Sequence, residues 1–329
     1  MTETETGAEL TDRRRKVPIR TKLLFAFGTL QEATVTAGGI TTMLFYNQVL
    51  GVSPALAGLA YLIVSIVDAV TDPLVGAWSD RFHSRWGRRH PFMFFSAFPI
   101  AIGFYFLYQP ISGLSEAGLF VWLIVFFALV RLGQTLYLIP HDALGAELTN
   151  DYDDRTSIFG FNNVAEMILS MGTVAILYSL ILPTVEEGKN GMLNEAGYVV
   201  LAWTGSITIM FSVLLSTLST LDQLPYMRKL EKSQKFFSRG YFAEIRTLLS
   251  NPSYLAACLS MLIMMIGLGI IAQVATYAYI YAFKLSSEQM FWATVAKTPG
   301  VFIALPLLYY LSKHLEKKQI MISTTLVTA

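Results

Sequence analysis

Long apolar runs recur along the whole chain, and they leave it little choice of fold. They fall near residues 22–50, 54–79, 91–109, 118–145, 157–183, 196–219, 252–283 and 287–312. Each is long enough to cross roughly 30 Å of hydrocarbon as a helix. In lipid the backbone must satisfy its own hydrogen bonds, so runs of this length predict helices and not open strands. A ninth run begins at Ile320 and reaches the end of the chain at Ala329. With 54% hydrophobic and 14% charged residues, the chain has more apolar side chain than a soluble core of its size uses. The reading is an all-α, multi-pass membrane protein with a lipid bilayer as its main partner and no call for nucleic acid. Cys258, the single cysteine, cannot form an internal disulfide. Residues 1–21 lack the apolar core of a cleaved signal and read as a disordered cytoplasmic tail.

Lysine and arginine positions orient the spans. With the tail inside, the inner segments collect Arg13, Arg14, Arg15, Lys16, Arg20 and Lys22, then Arg81, Arg85, Arg88 and Arg89, then Arg155. Six more basic residues lie in 220–250, and Lys313, Lys317 and Lys318 follow. The outer loops hold Lys189 and Lys284, which leaves Arg131 and Lys297 at membrane depth. The excess on one side predicts a cytoplasmic N-terminus in a plasma (inner) membrane.

Six spans, over 22–219, precede a polar linker at 220–250, which ends in a Ser250-Asn251-Pro252 helix start. Residues 251–329 form a second group. There Pro306 and Ser312 repeat the mutual spacing of Pro73 and Ser79. This layout suggests two parallel six-helix halves, the organisation of the major facilitator superfamily. On that reading the first bundle is complete and the second is not: about eight spans and part of a ninth are present, and the chain reads as a fragment or a truncated product.

The densest chemistry lies in residues 61–91. Asp68 and Asp72 are four residues apart, so they project from one helix face. Two carboxylates at membrane depth do not both stay ionised without a cation or proton between them. Pro73 predicts a helix break that frees the carbonyl of Ala69. Two carboxylates and a backbone oxygen are hard ligands suited to a coupling cation, Na⁺ or H⁺. The same acids would otherwise serve as internal partners of Arg131. Arg131 either neutralises one of them or binds an anionic substrate. Lys297 either lines a cavity at a second helix break or snorkels to the outer interface.

Glu32, flanked by Gln31, Thr34 and Thr36, is a substrate candidate, and so is Asp142. Glu166, near Asn162 and Asn163, reads as structural. Asp80, Arg81, Arg88 and Arg89, with Glu147 and Arg155, are gating candidates, with Asp80 interacting with neighbouring helix ends and Arg81, and Arg155 exchanging pairs with the acids at 147–154. A topology-setting basic loop and a solvated acidic loop are the simpler readings. His141-Asp142 has no partner set at a metal-ligand spacing, and no nucleophile elbow or phosphate loop is present, so an enzyme, a resident metal and a cofactor are not expected.

The segment from Asp72-Pro-Leu-Val-Gly76 through Asp80-Arg81 to Trp86-Gly87-Arg88-Arg89-His-Pro91 resembles the signature of the glycoside–pentoside–hexuronide:cation symporters, the melibiose-permease-like family. The block from Ile139-Pro140-His141-Asp142 to Asp154-Arg155-Thr156 is similar to that family's exit from span four. The resemblance implies a monomeric, cation-coupled importer of a sugar, glycoside or uronide working by alternating access, with Asp68 and Asp72 as the cation pair. The family's galactoside-contacting acid is replaced by Leu138, its first-span acid is offset from Glu32, and its arginine before the first cation-site acid is Ser65. Galactoside specificity therefore does not carry over, and the wider group includes carriers of non-sugar cargo such as lysolipids. A non-transporting membrane fragment is the other reading.

Overall fold

The structure, a computed structural model, describes residues 16–184, 190–226, 247, 250–296 and 310. Within them the regular elements are helices. In chain order these are α1 (Ile19–Ala26), α2 (Thr29–Leu44), α3 (Pro54–Arg81), α4 (His90–Tyr108), α5 (Glu116–Glu147), α6 (Tyr152–Ile176), α7 (Glu195–Ser219), α8 (Pro252–Tyr277) and α9 (Ser287–Val295). Wider π turns extend α2, α6 and α8 at their ends. Six of the helices are long and apolar enough to cross a membrane. Lys297, the repeat pair Pro306 and Ser312, most of the linker and the ninth run lie outside the described residues.

The first predicted span is two helices rather than one. The chain breaks at Phe27-Gly28 because α7 and α5 come in close: a Cβ on Gly28 would sit 1.9 Å from the Tyr137 hydroxyl and 2.6 Å from Ser216 Oγ. Only glycine admits that approach. The break frees the Phe25 carbonyl, which accepts from Gly28 N at 3.0 Å, Ser216 Oγ at 3.0 Å and His141 Nε2 at 3.2 Å. The His141 ring stacks on Phe25 at 3.9 Å. His141 therefore pins the broken helix in place, donating from Nε2.

Around this joint α2 packs on α6 and α7, α4 packs on α5 and α7, and α3 packs on α5. Large buried aromatics, among them Tyr46, Tyr108, Tyr137, Tyr198 and Phe104, fill the centre of the bundle. Gly133 and Gly205 let helices close to contact, since side chains there would strike Ile100 and Phe104. The lipid-facing sides carry apolar residues such as Leu62, Phe95, Val125 and Ile207, each exposed, as a bilayer solvent allows.

Two expectations are corrected here. The helix does not break at Pro73: α3 runs unbroken through it to Arg81. A proline removes one ladder bond, and a membrane helix tolerates that when neighbours supply partners. The tail does not stay disordered to residue 21 either. Val17 is buried and its N–H donates to Asp154 Oδ2 at 2.8 Å, and α1 begins at Ile19.

Of the second group, α8 and α9 meet the first bundle at one end. Tyr281 donates to Gln48 at 2.5 Å and Tyr277 to Asn47 at 3.4 Å. Asn190 donates to the Leu285 carbonyl at 2.9 Å, and Gly191 N donates to Ser287 Oγ at 3.2 Å. These contacts join ends that the charge pattern assigns to the outer side. Residues 255–275 of α8 stay largely exposed.

Lys22 and Asp154 form a buried ion pair at 2.5 Å, with side chains 7% and 2% exposed. Lys22→Met leaves that carboxylate without its cation and should cost about 3–5 kcal/mol. The expected readout is a lower thermal unfolding midpoint in detergent, with much of the loss recovered in Lys22→Met/Asp154→Leu.

Candidate functional site

Two rungs connect α3 to α5 at membrane depth. On the first, Arg131 Nε donates to Asp68 Oδ2 at 3.0 Å and Nη2 donates to the same oxygen. The second is the Thr135 hydroxyl donating to Asp72 Oδ1 at 2.7 Å. The acids are one turn apart on α3, and Arg131 and Thr135 are one turn apart on α5. Arg131 Nη1 also donates to Gln134 Oε1 at 3.3 Å. Thr135 Oγ1 lies 3.1 Å from the Arg131 carbonyl, a second acceptor for its one proton. The Asp68 side chain is 14% exposed and that of Arg131 42%. Ala69 and Pro73 flank Asp72 on an exposed stretch of α3. The Ala69 carbonyl has no N–H four residues on, because that residue is Pro73.

A separate cavity of about 360 Å³ opens between α2, α5 and α6. Its lining includes Glu32, Leu138, Asp142, Asn162, Asn163 and Glu166. Two substrate candidates, Glu32 and Asp142, thus share one cavity. Glu166, read as structural from sequence, joins them, and Arg131 does not line it. The four-residue step from Asn162 to Glu166 puts both on one helix face and was the available signal. Thr135 was also missed. Its clue was the matching four-residue step from Arg131, which mirrors that of the two acids.

Of the two partners expected for Asp80, neighbouring helix ends and Arg81, it is Arg89, at the start of α4, that pairs with it, at 2.5 Å. Arg88 meets Glu147 at 2.6 Å and Arg89 reaches the same carboxylate at 3.3 Å. Arg89, its side chain only 6% exposed, also donates to the buried Ser79 hydroxyl at 2.8 Å. Arg155 donates to the Thr149 carbonyl at 3.3 Å. The acid nearest to it, Asp154, is taken by Lys22. All of these contacts lie within the first six spans. They fasten the α3–α4 turn, where Gly87 takes φ 78°, to the end of α5. Among the described residues no three His, Cys, Asp or Glu side chains stand close enough to hold a metal ion together.

A helical bundle that carries an ion pair and a hydroxyl-held carboxylate at mid-membrane, beside an acid-lined cavity, defines a polytopic membrane protein with polar sites inside its span. Residues 25–329 match the family described as MFS/sugar transport protein, and the chain belongs to it. It is 32% identical over 195 residues to Uncharacterized symporter sll1374 of Synechocystis, covering 56% of this chain and 35% of that protein. It is 28% identical over 168 residues to the Inner membrane symporter YicJ of Escherichia coli, covering 49% and 36%. It is also 30% identical over 163 residues to the Sodium-dependent lysophosphatidylcholine symporter 1 of Xenopus tropicalis, covering 49% and 30%. The matched stretches span about a third of these relatives' length.

Glu147 holds two arginines and is itself nearly buried, whereas Asp80 is 42% exposed. Glu147→Gln should therefore lower the unfolding midpoint more than Asp80→Asn does, because the first takes from Arg88 its carboxylate and from Arg89 one of two, whereas after the second Arg89 still has Glu147.

Proposed function

We propose that the chain is the cation-coupled carrier part of a symporter, with one coupling cation, Na⁺ or H⁺, taken at the α3 carboxylates. A small-molecule cargo enters the cavity between α2, α5 and α6. The observation that carries this reading is the Asp72–Thr135 rung. It is a carboxylate at membrane depth held, among the described residues, by a single neutral hydroxyl and by no ion-pair partner. Membership of a sugar-transport family and likeness to proteins named as symporters support it.

Thr135 suits the work of exchanging a cation. Its proton has two acceptors within reach, Asp72 and the Arg131 carbonyl. When a cation arrives, the hydroxyl turns its proton to the carbonyl and offers a lone pair instead. Asp72, Thr135 Oγ1 and the Ala69 carbonyl are then three hard oxygens on two adjacent helices. Binding there draws α3 and α5 together and favours the state that takes up cargo, which is how an ion gradient drives uptake.

For the cargo, three carboxylates line the cavity and Arg131 is engaged elsewhere. An anionic uronide would meet like charge there, so a neutral sugar or glycoside fits better. Asp80, Arg88, Arg89 and Glu147 brace the inner end of the first bundle, and Arg81 sets orientation. The outer contacts of Asn190 and Ser287 tie it to the second. The membrane we assign is the plasma (inner) membrane, with the N-terminus cytoplasmic and the carrier monomeric.

A second reading, a carrier of lysolipid, has one observation in its favour, the likeness to the lysophosphatidylcholine symporter. Uptake into proteoliposomes separates the two by competition, with lysophosphatidylcholine in one arm and neutral glycosides or glucuronate in the other. Neutral glycosides should compete best. Asp72→Asn should abolish the cation dependence, and Na⁺-stimulated or pH-driven accumulation that survives in that variant sinks the cation-site assignment.

A further inference from the structure

We infer that Arg131 acts as a tethered counter-ion for Asp68, so that the α3 acid pair takes up a single monovalent positive charge, at Asp72. This rests on the cation-site reading above and specifies its charge balance.

Asp68, Asp72 and Arg131 are one group of charges at membrane depth. Asp68 is the better buried acid, and both its contacts to Arg131, through Nε and Nη2, fall on the one oxygen Oδ2. Such a guanidinium contact is charge-assisted and needs no further ion to neutralise that carboxylate. Among the described residues Asp72 receives only the neutral Thr135 hydroxyl. Two carboxylates and one guanidinium leave a net charge of −1, which one Na⁺ or one proton brings to zero and a second would overshoot. Retaining net charge in hydrocarbon is unfavourable, so the site is complete with one added charge.

The geometry also says why the arginine stays with the first acid. Gln134 accepts from Arg131 Nη1 at 3.3 Å on the side away from Asp68. The guanidinium is thereby held between two acceptors rather than free to swing to Asp72. Arg131 then sets affinity by its charge: it lies within a turn of the cation position and repels an incoming cation. An internal positive charge of this kind loosens the site, and a cation that is to be released on each cycle must not be held too tightly.

The inference makes opposite-signed predictions for two single changes at one ion pair. Arg131→Gln leaves both acids uncompensated, at −2, and should tighten cation binding about tenfold or more. Asp68→Asn leaves Arg131 beside Asp72, at zero net charge, and should weaken it by a similar factor. Asp68→Asn/Arg131→Gln returns the site to −1 and should bind within about threefold of the unaltered protein, the range in which neighbouring effects fail to add. Arg131→Lys keeps the charge and should stay close to the starting affinity.

The experiment is a titration of the purified full chain in detergent, followed by tryptophan fluorescence. Na⁺ is varied at fixed ionic strength with choline chloride, and pH is varied in a parallel series without Na⁺. Size-exclusion profiles and circular dichroism of each variant confirm folding. Tightening in Arg131→Gln, weakening in Asp68→Asn and recovery in the double variant support the tethered counter-ion. If both single changes weaken binding and the double variant is no better than the worse of them, Arg131 is a structural partner only and the inference is overturned. A cation response that persists unchanged in Asp72→Asn instead overturns the site assignment itself. No response to Na⁺ or to pH in the unaltered chain overturns both.

Discussion

Everything polar in this bundle is disciplined by the cost of charge in hydrocarbon, and the pairing of α3 with α5 is where that cost is met. Asp68 with Arg131 and Asp72 with Thr135 are both separated by 63 residues. Equal offsets on two rungs mean the helices run parallel and in register. That is what the second and fourth spans of an up-and-down bundle must do. The register is fixed by chemistry as well as packing: a slip of one residue on either helix would leave a guanidinium and two carboxylates facing apolar neighbours. The C-terminal end of the same helix pair is closed by the Arg88 and Arg89 contacts with Glu147 and Asp80. One helix pair thus carries both the ion chemistry and much of the electrostatic bracing.

The broken first span follows from the same helix α5. Tyr137 and His141 project from it one turn apart, and the chain can pass them only where residue 28 has no side chain. The carbonyl released by that break is then used as an acceptor, so the cost of interrupting a helix in lipid is offset by three donors. Glu32 and Thr29 sit just past the break and line the cavity with Asp142. Cavity and joint are therefore one construction, and His141 and Asp142, adjacent in sequence, divide between them: the ring holds the joint and the carboxylate faces open space.

Much of this was legible in the sequence because periodic apolar length and charge placement act locally. The spans and the placing of Asp68 and Asp72 on one face come from such local rules, as does the choice of Glu32 and Asp142 as substrate candidates; that the last two line one cavity is a tertiary fact. Tertiary facts were not legible. Nothing in the vicinity of Gly28 announces the hydroxyl of Tyr137 or the ring of His141, which lies 116 residues from Phe25, and Pro73 looked like a break because the neighbours that let α3 continue are remote in sequence. Asp80 was assigned to neighbouring helix ends and to Arg81, and Arg155 to its own acids. Folding chose Arg89, at the start of α4, for Asp80 and Lys22 for Asp154, because a side chain at the end of a helix reaches other helix ends more readily than it reaches back along its own.

The placement of the two bracing networks bears on how such a bundle can move. The contacts of Arg88, Arg89, Lys22 and Asp154 join elements of the first six spans to each other, so they favour motion of that bundle as one body. The hydrogen bonds that cross to α8 and α9 are mostly between neutral groups at one end: Tyr281 with Gln48, Asn190 with Leu285, Gly191 with Ser287. A neutral hydrogen bond contributes on the order of 1 kcal/mol net, whereas opening a buried ion pair costs several. Among the described residues the ion pairs thus lie within the bundle, and its crossing to the second group is held by hydrogen bonds, among them those of Thr184 to the Glu288 carboxylate. For the carrier proposed above, that distribution suits a rocking motion, because a joint opening on every cycle would be held by the interactions easiest to remake.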